Sequence, residues 1–153
     1  MIGPKRLQQG DTVMAVSLSS GLAHRYPHRY QVGKKQLQDT FGVKVMEGEY
    51  TLRSEEWMYR NPQARAEDLM NAFVDRSIDG VVSVIGGCDS IRRLSYLDFD
   101  LFRQNPKIFL GNSDATVTHF VLQKAGVGSY YGPSLMTGFA ENGGNFGRNP
   151  EVR

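Results

Sequence analysis

Short apolar runs alternate with helical segments along most of the chain, and this alternation constrains the fold more than any other feature. The runs that favour strands are 12–17 (TVMAVS), 43–47 (VKVME), 80–85 (GVVSVI), 107–110 (KIFL) and 127–133 (VGSYYGP). The run at 80–85 is nearly all apolar, which is typical of a strand covered on both faces. The pattern predicts an α/β fold, an open and mostly parallel sheet with helices on both faces.

Helix signals separate these runs. The strongest covers 61–77 (NPQARAEDLMNAFVDRS), where Asn61 is the expected cap and Pro62 suits the first turn. The other predicted helices lie at 29–41, 86–97 and 114–126. The stretch around Trp57 shows no regular pattern and is interpreted as irregular.

Composition excludes several classes of function. The chain has 18 Lys and Arg against 16 Asp and Glu, a net charge of +2, and no basic cluster that indicates a nucleic-acid partner. Cys88 is the only cysteine, which rules out an intrachain disulfide and favours a reducing cytoplasm. No His, Cys and carboxylate set has metal-ligand spacing, so no metal is expected. The charges of Arg65, Glu67 and Asp68 are interpreted as a solvated or self-paired helix face.

The chain length of 153 residues suits one domain. The first residues contain no apolar core of signal-peptide length, and no run approaches the roughly 20 apolar residues of a membrane span. Residues 1–136 are the expected α/β domain. Residues 137–153 are poor in apolar residues and rich in Gly and Pro, which interrupt helices and strands. They are predicted to be an irregular exit segment, by which the chain leaves the domain.

Three loops rich in Gly and Ser follow strands of the predicted sheet. They are 17–21 (SLSSG), 86–90 (GGCDS) and 111–114 (GNSD). Because ligands of open α/β sheets bind beyond the carboxyl ends of the strands, these loops predict the position of the functional site.

Ser113 is the candidate nucleophile. It lies on a tight strand-to-helix turn, as in the G-x-S-x-G motif, with Ala115 in place of the last Gly. The N–H of Asp114 and one N–H from Gly86 or Gly87 could then stabilise an oxyanion. The alternative interpretation is that the polar residues only cap the following helix.

A general base for this serine is harder to find. His119 lies six residues further along the same predicted helix, roughly 9 Å along its axis, and is interpreted as a helix-face residue. His24 and His28 lie in the loop after the first strand, on the correct side of the sheet, but no acid marks either as a base. Cys88 is a rival nucleophile at a possible helix start, where thiol pKa values can fall, although a small packed residue is the simpler reading.

Three segments of the chain match a known family in order and spacing. They are GDTVMAVSLSSG (10–21), RAEDLMNAFVDRSIDGVVSVIGGCDS (65–90) and NPKIFLGNSDATVTHFVLQKAGVGSYYGPSLMTGFAENGG (105–144). In these segments the chain resembles the amino-terminal domain of the LD-carboxypeptidase family of serine peptidases, most closely its microcin-C immunity (MccF-like) branch. The resemblance implies a flavodoxin-like fold of the class I glutamine-amidotransferase type.

The resemblance also implies roles. Ser113 matches the nucleophile of the motif G-[YFN]-S-D-x-T, with Asp114 and Gly86 or Gly87 as backbone oxyanion donors. The family is implied to hydrolyse amide bonds of murein peptides or of peptidyl- and aminoacyl-nucleotides, without a cofactor, as cytoplasmic homodimers. Ser20, Cys88 and Asn112, in the same three loops, are the expected substrate-binding residues.

The resemblance stops near Gly144, and two of its positions differ from the family pattern. Asn112 stands where the family usually has an aromatic residue, and Cys88 is at a variable position. The family's Glu and His come from a carboxyl-terminal domain that we do not find in these 153 residues, so the chain alone is expected to be inactive. The alternatives are a non-catalytic ligand-binding or interaction module on the same fold, and a self-sufficient hydrolase that uses His24 or His28.

Overall fold

Five parallel strands form the central sheet of the computed structural model, which describes residues 1–141. The strands are β1 Thr12–Val16, β2 Lys44–Glu47, β3 Gly80–Ser83, β4 Ile108–Gly111 and β5 Tyr130–Tyr131. Their order across the sheet is β2-β1-β3-β4-β5, and every neighbouring pair is parallel. This is the flavodoxin-like order, in which the strand order reverses between β1 and β3.

Six α-helices connect these strands. They are α1 Leu22–Arg25, α2 Pro27–Phe41, α3 Glu55–Arg60, α4 Pro62–Val74, α5 Phe99–Gln104 and α6 Thr116–Ala125. Two 3-10 helices, Ser90–Tyr96 and Ser113–Ala115, and a π-helical turn, Leu135–Phe139, complete the described elements. Glycines with positive φ end α2 and α6, because Gly42 (65°) and Gly126 (79°) adopt the left-handed conformation without steric cost.

Helices cover both faces of the sheet, as predicted. On one face α4, α5 and α6 pack around Leu69, Phe73 and Phe109. On the other face α2 and the turn Leu135–Phe139 pack against Val13 and Val45. Strand β3 is buried along its whole length, which explains its nearly continuous apolar sequence.

Four local predictions were wrong. His24 and His28 lie in helices α1 and α2 and not in a loop. The stretch around Trp57 forms helix α3, because Ser54 caps it by accepting the Trp57 N–H and the Trp57 ring stacks on Tyr50. Asn61 does not cap α4; its side-chain amide donates instead to the Trp57 carbonyl at the end of α3. The segment after Gly86-Gly87 forms a 3-10 helix that begins only at Ser90.

The turn Leu135–Phe139 extends across the predicted domain boundary at 136 and packs on α2. The rest of the predicted exit segment, 142–153, lies outside the described residues. Within residues 1–141 no helix is both long and apolar enough to cross a membrane.

Candidate active site

Ser113 lies directly beyond the carboxyl end of β4, on a sharp turn into α6. Its φ is +55°, and it is the only non-glycine residue with positive φ in the described part of the chain. Its side chain is exposed. The turn is tight because Gly111 has no side chain: a Cβ there would lie 2.9 Å from the Cβ of Ser83 and 3.0 Å from that of Ala115. A strained backbone that projects a serine from the end of a strand is typical of a nucleophile.

The Gly86-Gly87 loop lies against this turn. A Cβ at Gly86 would be 2.9 Å from Ser113 Oγ and 3.5 Å from the Asp114 nitrogen. The N–H groups of Gly86, Gly87 and Asp114 have no acceptor among residues 1–141. Free backbone N–H groups beside an exposed hydroxyl can stabilise an oxyanion. The structure thus brings Ser113, Gly86 and Asp114 together, while Gly87 packs on Ser19.

The side chain of Asp114 joins the two loops. Its Oδ2 accepts the backbone N–H groups of Asp89 (3.1 Å) and Ser90 (2.9 Å), and the Ser90 hydroxyl donates to the Asp114 carbonyl (2.7 Å). Burial alone would raise the pKa of Asp114, but the nearby Ser19 hydroxyl and these bonds from Ser90 and Asp89 outweigh it and lower the pKa. Asp114 is therefore ionised and links the turn at Ser113 to the Gly86-Gly87 loop.

Two buried arginines lie beneath these loops. Arg65, on α4, donates to the Leu18 carbonyl (2.9 Å) and to Asp89 Oδ2 (2.7 Å), so it ties the loop after β1 to the loop after β3. Arg93 donates to the Thr118 hydroxyl (3.0 Å). Burial, followed by the positive charge of Arg65, lowers the pKa of Arg93 to about 9, while Asp114 partly opposes this change.

The interpretation of Arg65 and Asp68 as part of a solvated helix face was wrong. Both side chains are buried, Arg65 in the ion pair with Asp89 and Asp68 against the backbone N–H of Tyr50. The sequence of α4 carried no signal of this, because the partners of Asp68 and Arg65 lie 18 and 24 residues away.

The backbone N–H of Ser113 is bonded to the hydroxyl of Tyr131 on β5 (3.1 Å). His119 lies behind this tyrosine: its Nε2 bonds to the Gly111 carbonyl (2.9 Å) and its Nδ1 to the Ser129 hydroxyl (2.7 Å). Both ring nitrogens of His119 are thus occupied by groups other than the Ser113 hydroxyl.

No basic side chain within residues 1–141 is bonded to Ser113 Oγ. The Ser113 hydroxyl makes no hydrogen bond to any described residue. His24 is exposed and bonds to the Leu52 carbonyl (3.2 Å), and His28 is exposed on α2. The described residues also contain no group of three or more His, Cys, Asp or Glu side chains arranged to hold a metal ion.

A cleft of about 330 Å³ opens beside the Gly86-Gly87 loop. Ser20, Gly87 and Cys88 line it together with Glu55 and Tyr59. Ser20 also donates to the Gly86 carbonyl (3.2 Å). The structure therefore groups two of the expected substrate-binding residues, Ser20 and Cys88. Asn112 is not part of this cleft and instead accepts a hydrogen bond from the Ser134 hydroxyl (2.8 Å).

Comparisons with known proteins identify the family. Residues 13–132 match the family model of the LD-carboxypeptidase N-terminal domain. The chain is 31% identical to the Microcin C7 self-immunity protein MccF of Escherichia coli, over 89% of this chain and 40% of that protein. It is 30% identical to a Bacillus subtilis protein named "Probable murein peptide carboxypeptidase", over 88% of this chain and 41% of that protein.

Solved structures give the same result. An MccF-like protein from Streptococcus pneumoniae, in complex with AMP, superposes with a TM-score of 0.80 at 36% identity, over 87% of this chain and 40% of that one. MccF in complex with glutamyl sulfamoyl guanosine superposes with a TM-score of 0.82 at 29% identity, over 91% of this chain and 42% of that one. The chain spans about two fifths of the length of these relatives. On this evidence the chain belongs to the LD-carboxypeptidase family, of which it contains the N-terminal domain.

Proposed function

We propose that this chain carries the nucleophile half of a serine peptidase site, which hydrolyses an amide bond of a murein peptide or of a peptidyl- or aminoacyl-nucleotide. The observation that carries the proposal is the exposed Ser113 at φ +55°, directly beside Gly86 and the free N–H of Asp114. A helix cap would not require a strained serine with its hydroxyl unbonded.

In the proposed reaction, Ser113 Oγ attacks the carbonyl carbon of the substrate and its proton passes to a general base. The negative charge develops on the carbonyl oxygen. The N–H of Asp114 and a glycine N–H of the Gly86-Gly87 loop donate hydrogen bonds to this oxygen and stabilise the charge. The C–N bond then breaks, and the amine leaves with the proton from the base. A water molecule hydrolyses the resulting ester and restores Ser113.

The base comes from outside residues 1–141 in this proposal, because the Ser113 hydroxyl has no basic partner among them. The family resemblance assigns the Glu and His of the triad to a carboxyl-terminal domain. We therefore propose that the α/β domain, residues 1–136, is nearly inactive by itself. Loss of a triad member typically costs several orders of magnitude in rate.

Small-ligand binding is supported by the cleft beside Gly87 and by the relatives. Two of the similar structures are complexes, one with AMP and one with glutamyl sulfamoyl guanosine. We propose that Ser20 and Cys88 contact the substrate of this chain, and that Asn112, held by Ser134, contacts it from the nucleophile side. We also propose that the protein is cytoplasmic, needs no cofactor and forms a homo-oligomer. Light scattering that shows a monomer at high concentration would refute the homo-oligomer.

The test is labelling of the purified chain with a fluorophosphonate, followed by intact-mass measurement, with and without imidazole as an external base. We expect an adduct only when imidazole is present, and none in Ser113→Ala. Ser95→Ala is the matched control, since it removes an exposed hydroxyl outside these loops and leaves the nucleophile. An adduct that persists in Ser113→Ala would refute the proposal that Ser113 is the nucleophile. Rapid labelling without imidazole would refute the proposal that the base lies outside residues 1–141.

The second candidate is a ligand-binding module without catalysis, which the unbonded Ser113 hydroxyl favours for the chain alone. It predicts heat on calorimetric titration with aminoacyl-adenylate analogues or murein peptides, and no adduct under any condition. Absence of heat with both ligands would remove it. The third, a self-sufficient hydrolase, requires that His24→Ala or His28→Ala lower the labelling rate.

A further inference from the structure

Tyr131 holds the backbone of the candidate nucleophile. Its hydroxyl oxygen accepts the N–H of Ser113 at 3.1 Å, although the side chain is 67% exposed. We propose that Tyr131 is a positioning residue, which fixes the nucleophile turn and decides which N–H groups face the substrate. This inference rests on the proposed function of Ser113.

The turn needs such a partner because its conformation is unfavourable for serine. A non-glycine residue at positive φ stores about 1–3 kcal/mol of strain, which the surroundings must offset. The Ser113 N–H stands at the start of the 3-10 helix Ser113–Ala115, where backbone donors have no partner within the helix. Tyr131 supplies the acceptor from another strand.

The position of the Tyr131 hydroxyl is fixed by its neighbours. Tyr131 pairs with Gly111 across the β4–β5 ladder, two residues before Ser113. The His119 ring lies 5.5 Å from the Tyr131 ring, between centroids. Because the Gly111 carbonyl can only accept, His119 donates from Nε2 and accepts the Ser129 hydroxyl at Nδ1, which locks the imidazole in one orientation.

The bond also selects the oxyanion donors. With its own N–H occupied by Tyr131, Ser113 offers none to the substrate, and the N–H groups of Asp114 and Gly86 or Gly87 remain. Tyr131→Phe would free the Ser113 N–H and release the turn from β5. We therefore expect the substitution to change the nucleophile turn without changing the core, since the hydroxyl is at the surface.

The experiment compares Tyr131→Phe with Tyr130→Phe in the full chain. Tyr130 is the adjacent strand residue, is 50% exposed, and its hydroxyl has no hydrogen bond to a described residue. Two rates are measured: amide hydrogen exchange at Ser113 by NMR, and fluorophosphonate labelling of Ser113 in imidazole buffer. Loss of one hydrogen bond predicts about three- to tenfold faster exchange and about three- to tenfold slower labelling in Tyr131→Phe. Tyr130→Phe should change neither rate and should unfold at the wild-type urea concentration, whereas Tyr131→Phe should stay folded and lose only the contribution of this one bond.

Each outcome tests a different part of the inference. Unchanged amide exchange at Ser113 in Tyr131→Phe would show that the hydrogen bond from Ser113 to Tyr131 does not protect this amide. Faster exchange with unchanged labelling would overturn the positioning role of Tyr131. A wild-type chain that is never labelled would refute the proposed nucleophile instead, so the two failures are distinguishable. Equal effects in Tyr130→Phe would also overturn the inference, because they would reflect a general loosening of β5.

Discussion

At the scale of single residues, Gly86 keeps open the space that the candidate nucleophile occupies. A Cβ at this position would lie 2.8 Å from the Cβ of Ser113, and a Cβ cannot move away by rotation of its own side chain. We expect Gly86→Ala to displace the turn, to destabilise the fold by about 1–3 kcal/mol and to abolish labelling of Ser113. Urea denaturation and intact mass measure the two effects.

Gly3→Ala is the control for this substitution, since nothing lies within 4 Å of a Cβ there. It should change stability by less than about 0.5 kcal/mol. Wild-type labelling in a folded Gly86→Ala chain would contradict the packing of the loop on Ser113.

The residues predicted from the sequence and those that were not differ in one respect. Ser113, Asp114 and Gly86 lie within about three residues of the end of a strand, so a local motif indicated them. Tyr131 lies 18 residues from Ser113 and contacts it only because β4 and β5 pair. No spacing rule within a single segment contains that information.

At the scale of elements, helix α4 is fastened to the site loops by a buried ion pair. The Arg65 side chain is fully buried and lies 2.7 Å from Asp89 Oδ2, whereas Arg92 approaches the same oxygen at 3.3 Å with its side chain 40% exposed. We expect Arg65→Ala to cost about 3–5 kcal/mol, because it also leaves the Leu18 carbonyl without its donor.

Arg92→Ala is a control with the same carboxylate. An exposed pair contributes about 0–1 kcal/mol, and added salt should reduce even that. Denaturant titrations of both variants at low and high salt make the comparison. Equal losses of unfolding free energy in the two variants would show that burial of Arg65 does not determine its contribution to stability.

Element prediction succeeded where the local signal was strong. The helices at Pro27–Phe41 and Pro62–Val74 have apolar periodicity and favourable ends, and both exist close to their predicted ranges. Helix α3 was missed because its stability comes from the Ser54 cap and the stacking of Trp57 on Tyr50, a contact between two segments that each look irregular.

At the scale of the whole molecule, one buried carboxyl should govern part of the pH dependence of folding. Burial raises the pKa of Asp68 to about 6, against the opposing hydrogen bonds from the N–H groups of Tyr50 and Glu49. The unfolded chain releases this proton near pH 4. The contribution of Asp68 to stability is therefore complete below about pH 4 and is lost as the pH rises through about 6.

Asp68→Asn should remove this loss, since an amide oxygen can still accept the Tyr50 N–H. Relative to wild type, we expect the variant to gain about 1–3 kcal/mol in free energy of unfolding between pH 4 and pH 8. The difference between the two proteins isolates Asp68 from Glu47 and Asp114, whose lowered pKa values act in the opposite direction. Urea denaturation across this pH range measures it.

Asp39→Asn, at an exposed carboxylate paired with Lys35 on α2, is the control and should change the free energy of unfolding by less than about 1 kcal/mol. A pH slope in Asp68→Asn equal to that of wild type would contradict the raised pKa of Asp68.

The sequence by itself determined the class of fold and the place of the candidate nucleophile. Alternating apolar runs and helices allow few arrangements, and a serine after a buried strand must emerge at the carboxyl edge of the sheet. Only the tertiary structure decided the surroundings of that serine: the Tyr131 hydroxyl on its amide, the clamp of Asp114 on the loop after β3, and the buried Arg65 and Arg93 below. These contacts join segments 18 to 47 residues apart, and packing, not local pattern, brings such segments together.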